Sequence, residues 1–456
     1  MTNYLCKTLS FSDKQLENLK TTLSQREWTV FLESSDLQHV NSQWSIISAD
    51  PIETFIAEKG QTNPLQTVHQ SRRALFSDNA SSKPSDLPFT GGALGVMSYE
   101  LGYQFEKIKN SNKPDALKIP KATFGFYDWA LLVNHKSNEI SLVVRQHSKS
   151  ITPLITAWQT RLEWLMTLVK TPMSTVLFKL SSPWSANMSK CEYLNRFDRV
   201  QEYILSGDCY QVNLAQRFKA DYHGDEYGAY QTLLATNRPP FSAFLRLPTH
   251  TILSLSPERF LKLNSNGKDR IVESKPIKGT RPRFADEIQD QQSKQALINS
   301  PKDRSENLMI VDLLRNDIGR VCDAGSVKVP LLFEVESFPA VHHLVSTVLG
   351  KLAKEYSTED LLTACFPGGS ITGAPKIRSM EIIAELEPNS REIYCGSIGY
   401  IDATGKMDMN IAIRSLLCHQ QKIYCWAGGG LVADSIGNDE YQECFDKVSR
   451  ILPVLE

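Results

Sequence analysis

Four segments hold the residues whose types and spacing could do chemistry. In Pro276-Ile277-Lys278-Gly279-Thr280-Arg281-Pro282 a lysine stands in a turn-rich setting, and in Ser256-Pro257-Glu258-Arg259 a glutamate precedes an arginine. An amine that has lost its proton is a nucleophile, and a carboxyl whose pKa is raised by burial is a general acid near neutral pH. Alone, Lys278 equally fits a solvated loop lysine, and Glu258 a surface glutamate paired with Arg259. The third segment, Phe366-Pro367-Gly368-Gly369-Ser370-Ile371-Thr372-Gly373-Ala374-Pro375-Lys376, has glycines at the spacing of a phosphate loop. Ala374 and Pro375 stand where such a loop requires Lys and Ser/Thr, which argues against nucleotide binding. The segment still leads into a helix N-terminus, a place that favours an anion. Ser370 and Thr372 bond a ligand there or cap the helix. The fourth, Ala427-Gly428-Gly429-Gly430-Leu431-Val432, lets a backbone approach a ligand closely, or makes a plain turn.

The elements that must position these residues come next. Ser189 and Glu192 form a capping box for a helix in which Tyr193, Phe197, Val200 and Ile204 recur at helical spacing and which Gly207 ends. Strand-like sequence follows at 208–219 and 241–263, a helix at 302–317, and another from Pro375 to before Pro388. Strands are expected at 395–402, 408–417 and 422–427, and a last helix at 439–452. Arg414 then falls at an inward strand position, where its fork of donors suits a carboxylate. His342 and His343 are strand neighbours, so at most one faces a site. Glu440 and Glu443 share one helix face. In the first part, 91–95 reads as a strand, 124–133 and 139–145 as a hairpin around 134–138, 151–170 as a helix and 171–188 as a linker. Runs of strands with helices between them indicate an α+β fold with mostly antiparallel sheets.

Composition narrows the function classes. The 456 residues carry a net charge of -1, without the basic footprint of a nucleic-acid binder. An anionic substrate must therefore be met by local charges. The 9 cysteines are scattered, with no CxxC pair, which fits reduced cytoplasmic thiols better than a disulfide framework or a zinc site. No apolar run approaches a membrane span, and no signal peptide is recognised at the N-terminus.

Together, the four segments resemble those of the chorismate-utilising enzymes: anthranilate synthase large subunits, aminodeoxychorismate synthase component I, and isochorismate and salicylate synthases. The likeness is strong over roughly 188–450 and weaker before it. Family members that add water have a lysine at the place of Gln211, in Tyr210-Gln211-Val212-Asn213-Leu214. An amide cannot serve as that base. Anthranilate synthases usually have alanine where Lys278 stands. The resemblance thus implies an ammonia-using enzyme that makes 4-amino-4-deoxychorismate for 4-aminobenzoate and folate synthesis, with Lys278 as covalent nucleophile and Glu258 as general acid. It also implies Mg2+ on Glu306 and Glu443, with Glu440 as a further candidate through water. Substrate contacts are implied for Gly279, Thr280, Gln211, His343, Ser370, Thr372, Tyr400, Arg414, Gly428, Gly429, Gly430 and Lys447. For His343, a satisfied core histidine is the alternative.

Phe31-Leu32-Glu33-Ser34 resembles the stretch that binds tryptophan in anthranilate synthases, with Asn41, Ser42, Gln43, Trp44, Pro240, Phe241 and Ser242 completing a pocket. Ordinary core packing explains these residues as well. The family implies two large, mostly antiparallel sheets packed together with helices outside. Residues 1–170 would form an N-terminal region like that of anthranilate synthase component I, and 188–450 the chorismate-binding catalytic region, the two interleaved in one body. No segment resembles a glutaminase, so ammonia is expected from a separate glutamine amidotransferase subunit. The rivals are an anthranilate synthase in which Lys278 is a bystander and a silent tryptophan-binding subunit.

Overall fold

Turn residues cut the chain into short strands, and these sort into two antiparallel sheets in the computed structural model. The structure describes residues 3–34, 42–58, 60–76, 86–108, 117–170, 175–265, 268–338 and 341–456. A thirteen-stranded sheet runs in the order Tyr4–Leu9, Glu139–Arg145, Trp129–Asn134, Trp44–Ser48, Thr29–Glu33, Phe241–Arg246, Thr251–Ser256, Ser415–His419, Lys422–Leu431, Gln211–His223 and Ser185–Ala186. Two short strands, Lys179–Leu180 and Gly373–Ala374, also pair with Gln211–His223. The ten-stranded sheet runs Ile277–Pro282, Val341–Lys351, Arg270–Ser274, Arg259–Ser265, Met407–Asn410, Ser397–Asp402, Gly92–Met97, Ala122–Tyr127 and Glu53–Ile56, with Lys328–Ser337 beside Val341–Lys351. One cluster of buried apolar side chains takes in both sheets, including Phe244, Leu253 and Leu417 from the first and Val96, Leu261 and Met409 from the second.

Each sheet joins early and late parts of the chain. Thr29–Glu33 pairs with Phe241–Arg246 in the larger sheet, and Gly92–Met97 pairs with Ser397–Asp402 in the smaller. Among the described residues there are 11 α-helices, none long and apolar enough to cross a membrane. The capping box at Ser189 is present, with reciprocal bonds to Glu192 of 2.7 and 3.3 Å at the start of the helix Lys190–Leu205. Such a cap contributes about 1 kcal/mol. The expected helices at 151–170, 302–317, 375–388 and 439–452 appear as Leu154–Lys170, Pro301–Gly319, Lys376–Leu386 and Gly437–Val448.

Three stretches expected to be continuous strands are broken, each where the chain passes between sheets. Ala122–Tyr127 lies in the smaller sheet and Trp129–Asn134 in the larger, with the step at Asp128. The expected strand at 241–263 is three strands, with a step at Pro257 and Glu258 between Thr251–Ser256 and Arg259–Ser265. The expected strand at 408–417 stops at Asn410 and resumes at Ser415. Most residues beside these steps are buried whichever way they point, so no polar–apolar alternation marks the breaks. The helix Glu287–Ile298 was not read from the sequence either; it buries only Leu297, too thin an apolar stripe to register as periodicity.

Candidate active site

Two of the steps between sheets are tied to each other. Ser256 Oγ donates to Ile411 O at 2.6 Å, and Ile411 N donates to Glu258 O at 3.0 Å. Leu255 N donates to Arg414 O at 3.0 Å. Pro257 cannot donate to a ladder, which suits it to the end of a strand. These bonds bring Glu258 and Arg414, distant in sequence, to one cavity of about 160 Å³. Lys278, Ser370, Gly428, Gly430 and Lys447 line it as well.

Ser370 links the two reactive groups. It stands in the short turn Gly369–Ile371; its hydroxyl donates to Glu258 Oε1 at 3.1 Å, and its carbonyl accepts from Lys278 Nζ at 3.4 Å. Burial raises the Glu258 carboxyl to about 7, with Lys278 and the Ser370 hydroxyl opposing. Burial lowers the Lys278 amine, helped by Lys447 and opposed by Glu306 and Glu258. The pair is therefore tuned toward an uncharged amine beside a protonatable carboxyl, the states that nucleophile and acid require. Lys278 comes from the strand Ile277–Pro282, whose register shifts between Lys278 and Thr280 as Gly279 takes a φ of 78°. Such a bulge re-aims a side chain.

Arg414 requires a correction. It is not on a strand but in the break between two, with a φ of 51°. From there its side chain still lines the cavity, and among the described residues the guanidinium has no ion pair or hydrogen bond. Burial, with Arg450 nearby, lowers its pKa. It is a donor fork left open for an anion. Lys447 bonds the Gly428 carbonyl at 2.7 Å and pairs with Glu443 at 2.7 Å.

Tyr400 and Thr372 lie outside the lining of this cavity. Tyr400 lies on Ser397–Asp402 and lines a different cavity, with its ring edge against Phe89. The tyrosine of the Lys278 cavity is Tyr394. Thr372 is fully buried and its hydroxyl bonds the carbonyls of Gly368 and Gly369 at 3.1 and 3.4 Å, so it closes the turn and does not reach the cavity. Gln211, Gly279, Thr280, Gly429 and His343 are also outside the cavity lining. Thr280 Oγ1 and the His343 Nδ1 are 2.9 Å apart, on neighbouring strands just beyond Lys278. The Gln211 amide lies against Gly430, where an added Cβ would come 2.0 Å from Nε2. His342 faces the other way, toward Ser337 and Asp290. Asn213, Ile371 and Trp426, with Tyr394, also line the cavity and were not anticipated. Asn213 stands two residues from Gln211 inside a quoted motif; the apolar and aromatic members look like core residues in the sequence.

The carboxylates expected to hold a metal approach the same region. Glu440 and Glu443 project from Gly437–Val448, and a Cβ on Gly429 would lie 2.9 Å from Glu440 Oε2 and 3.6 Å from Glu443 Oε1. Burial raises Glu306, and Glu443 adds to the rise; burial likewise raises Glu440, again with Glu443 adding. Among the described residues no three His, Cys, Asp or Glu side chains form a complete metal cage. Mg2+ does not need one, since it binds through one or two carboxylates plus water and substrate oxygens. Three carboxylates, two of them raised by burial with Glu443 beside them, are all-oxygen donors of the kind such a cation takes.

The tryptophan-like residues surround a second cavity of about 270 Å³, lined by Ser34, Gln43, Trp44, Pro240, Phe241 and Ser242 together with Arg259, Tyr400 and Asp408. Ser42 is buried but does not line it, and Asn41 lies outside the described residues. Arg259 is bound there by Asp408 at 2.8 Å and Glu273 at 3.4 Å.

Comparison with known proteins fits this arrangement. A family model described as chorismate binding enzyme matches residues 29–453. Aminodeoxychorismate synthase component 1 of Klebsiella aerogenes is 49% identical over 95% of this chain and 95% of its own. The protein of that name from Escherichia coli (strain K12) is 47% identical over 98% of each. The crystal structure of anthranilate synthase component I from Streptococcus pneumoniae superposes with a TM-score of 0.79 at 30% identity, covering 91% of this chain and 93% of that one.

Proposed function

The chain belongs to the chorismate binding enzyme family, and from that premise we propose that it converts chorismate and ammonia to 4-amino-4-deoxychorismate through a covalent bond to Lys278. The observation that carries the reading is Ser370 holding Lys278 and Glu258 at one cavity, with the amine lowered and the carboxyl raised to about 7. The names of the Klebsiella and Escherichia coli relatives support the same product.

The uncharged Lys278 amine adds to the ring carbon two positions along the diene. The double bond shifts, and the ring hydroxyl departs as water with the Glu258 proton. The bound amine gives up a proton in turn. Ammonia then attacks the carbon that bore the hydroxyl; the double bond shifts back and Lys278 leaves as the neutral amine, taking back the proton it had passed to Glu258, while the new ammonium loses one to the same carboxylate. Two allylic shifts return nitrogen to the position of the lost oxygen. A single direct attack by ammonia would place it at the other end, as in anthranilate formation. Arg414 and the backbone of Gly428 and Gly430 receive the substrate carboxylates. Glu306 and Glu443, with Glu440 through water, would hold Mg2+, which neutralises carboxylate charge when bound. The words "component 1" in the relatives' name favour a glutamine amidotransferase subunit as the source of ammonia. The second cavity we read as a tryptophan site, tested by calorimetry and by analysis of amino acid released on denaturation; absence of tryptophan in both overturns it.

The main test is incubation with chorismate, ammonia and Mg2+, with product identification. Aminodeoxychorismate is expected; fluorescent anthranilate would favour the rival chemistry. Intact-protein mass after chorismate without ammonia should show addition of chorismate less water at Lys278. No adduct, together with normal product from Lys278→Ala, would overturn the covalent mechanism.

A further inference from the structure

Behind the Lys278 cavity lies a buried arginine that the chemistry above does not use. Arg391 is 1% exposed, and its guanidinium is fully engaged. Nε and Nη2 bind the Glu387 carboxylate at 2.9 and 2.6 Å, and Nη1 donates to the Ile371 carbonyl at 3.1 Å. Nη2 also donates to the main-chain oxygen of Asn213 at 2.8 Å and to its side-chain Oδ1 at 3.2 Å. The guanidinium lies over the Tyr394 ring, 5.6 Å from its centroid. Asn213, Ile371 and Tyr394 all line the cavity, and Ile371 follows Ser370, which holds Glu258 and Lys278. One cation thus ties together three walls that come from separate parts of the chain. Glu387 also accepts the backbone N–H of Ala215 at 2.9 Å, which fixes the same strand two residues beyond Asn213.

This arrangement sets the direction of the Asn213 amide. A guanidinium only donates, so the amide oxygen must face it. Asn213 Nδ2 makes no hydrogen bond among the described residues, and it is not among the sealed polar atoms without a partner. It is a donor turned to the same cavity as the Arg414 guanidinium. We propose that Asn213 binds a carboxylate of the substrate through Nδ2, and that Arg391 is the positioning residue that holds the amide in this orientation. The proposal rests on the chorismate reading above and adds to it a binding group and the device that aims it.

The test uses the full chain with chorismate, ammonia and Mg2+, comparing KM and kcat. Asn213→Ala should raise KM for chorismate about tenfold with a smaller change in kcat, the scale of one hydrogen bond to a charged group. Asn213→Asp keeps the acceptor for Arg391 but puts a negative charge toward the carboxylate, and should raise KM further. Arg391→Lys keeps a charge opposite Glu387 without the fork. It should raise KM in the parent chain and add nothing in the Asn213→Ala background, as coupled residues do. If Arg391→Lys does not fold, Glu387→Gln, which loosens the arginine and leaves it in place, takes its position in the cycle. Unchanged KM in Asn213→Ala overturns the binding role, and an equal KM penalty in both backgrounds overturns the positioning role. A parent chain that leaves chorismate unconsumed overturns the functional reading and this inference with it; parental KM values in variants of an active chain overturn this inference alone.

Discussion

Glu258 and Arg259 are adjacent in the chain, yet they serve two cavities that handle charge in opposite ways. In the cavity of Glu258 most charges are left open: Lys278 and Arg414 have no carboxylate within ion-pair distance among the described residues, Glu258 is bonded by a neutral hydroxyl, and Lys447 is paired, with Glu443. In the cavity of Arg259 the guanidinium is held by Asp408 and Glu273. Burial shifts a titrating group far when no opposite charge compensates, and less when one does. The first cavity therefore spends stability on groups poised to change protonation, whereas the second is suited to binding without reaction. Size alone would point to the wrong one, since the second cavity is the larger.

The contrast can be broken by substitution. Lys278→Ala should have the largest effect, abolishing aminodeoxychorismate formation by more than about 10,000-fold or diverting turnover to anthranilate, read by chromatography and fluorescence. Glu258→Gln should lower kcat by about 100- to 10,000-fold, the range for a lost general acid. In the parent chain the acid must carry its proton, so kcat should fall as pH rises through about 7, and Glu258→Gln should lose that limb. Linkage has the same sign for stability. A carboxyl raised in the folded state binds its proton more tightly there, so its contribution is present below the unfolded pKa and is lost as pH rises from 4.5 to about 7. Glu443→Ala should raise the Mg2+ concentration for half-maximal rate about tenfold, near the low end for a weakened metal site; an unchanged Mg2+ titration would remove it from the ligands. At the second cavity, Ser34→Leu should abolish tryptophan binding in calorimetry while changing kcat by less than about threefold, because overpacking there costs stability of about 1–3 kcal/mol without touching Lys278. A large loss of kcat would show that the two cavities are not separate in function.

The legible part of the site was the part made of unusual residues in fixed order. Lys278, Glu258, Ser370, the glycines at 428 and 430, Arg414 and Lys447 could all be named from motifs, and the structure brings them to one place. Asn213, Ile371, Tyr394 and Trp426 could not be told from ordinary strand and core residues. The exchange of Tyr400 for Tyr394 has a local cause. Tyr400 is on a regular strand that turns it to the Arg259 side, whereas Tyr394 sits in the irregular turn before that strand. For the fold, strand-rich character and five of the 11 described helices could be read, but the steps at Asp128, Glu258 and Arg414 could not. Those steps carry two of the site's key residues, and they lie where burial on both sides erases the period-two signal.

The seams between early and late strands bear on how the molecule can be divided. A fragment beginning near residue 188 would lack Thr29–Glu33 and Gly92–Met97, leaving the free edges of Phe241–Arg246 and Ser397–Asp402 exposed in two places. Unpaired edges of largely buried strands recruit other chains, so such a fragment would come out of synthesis as a sticky intermediate, prone to assemble with copies of itself before it could act on anything.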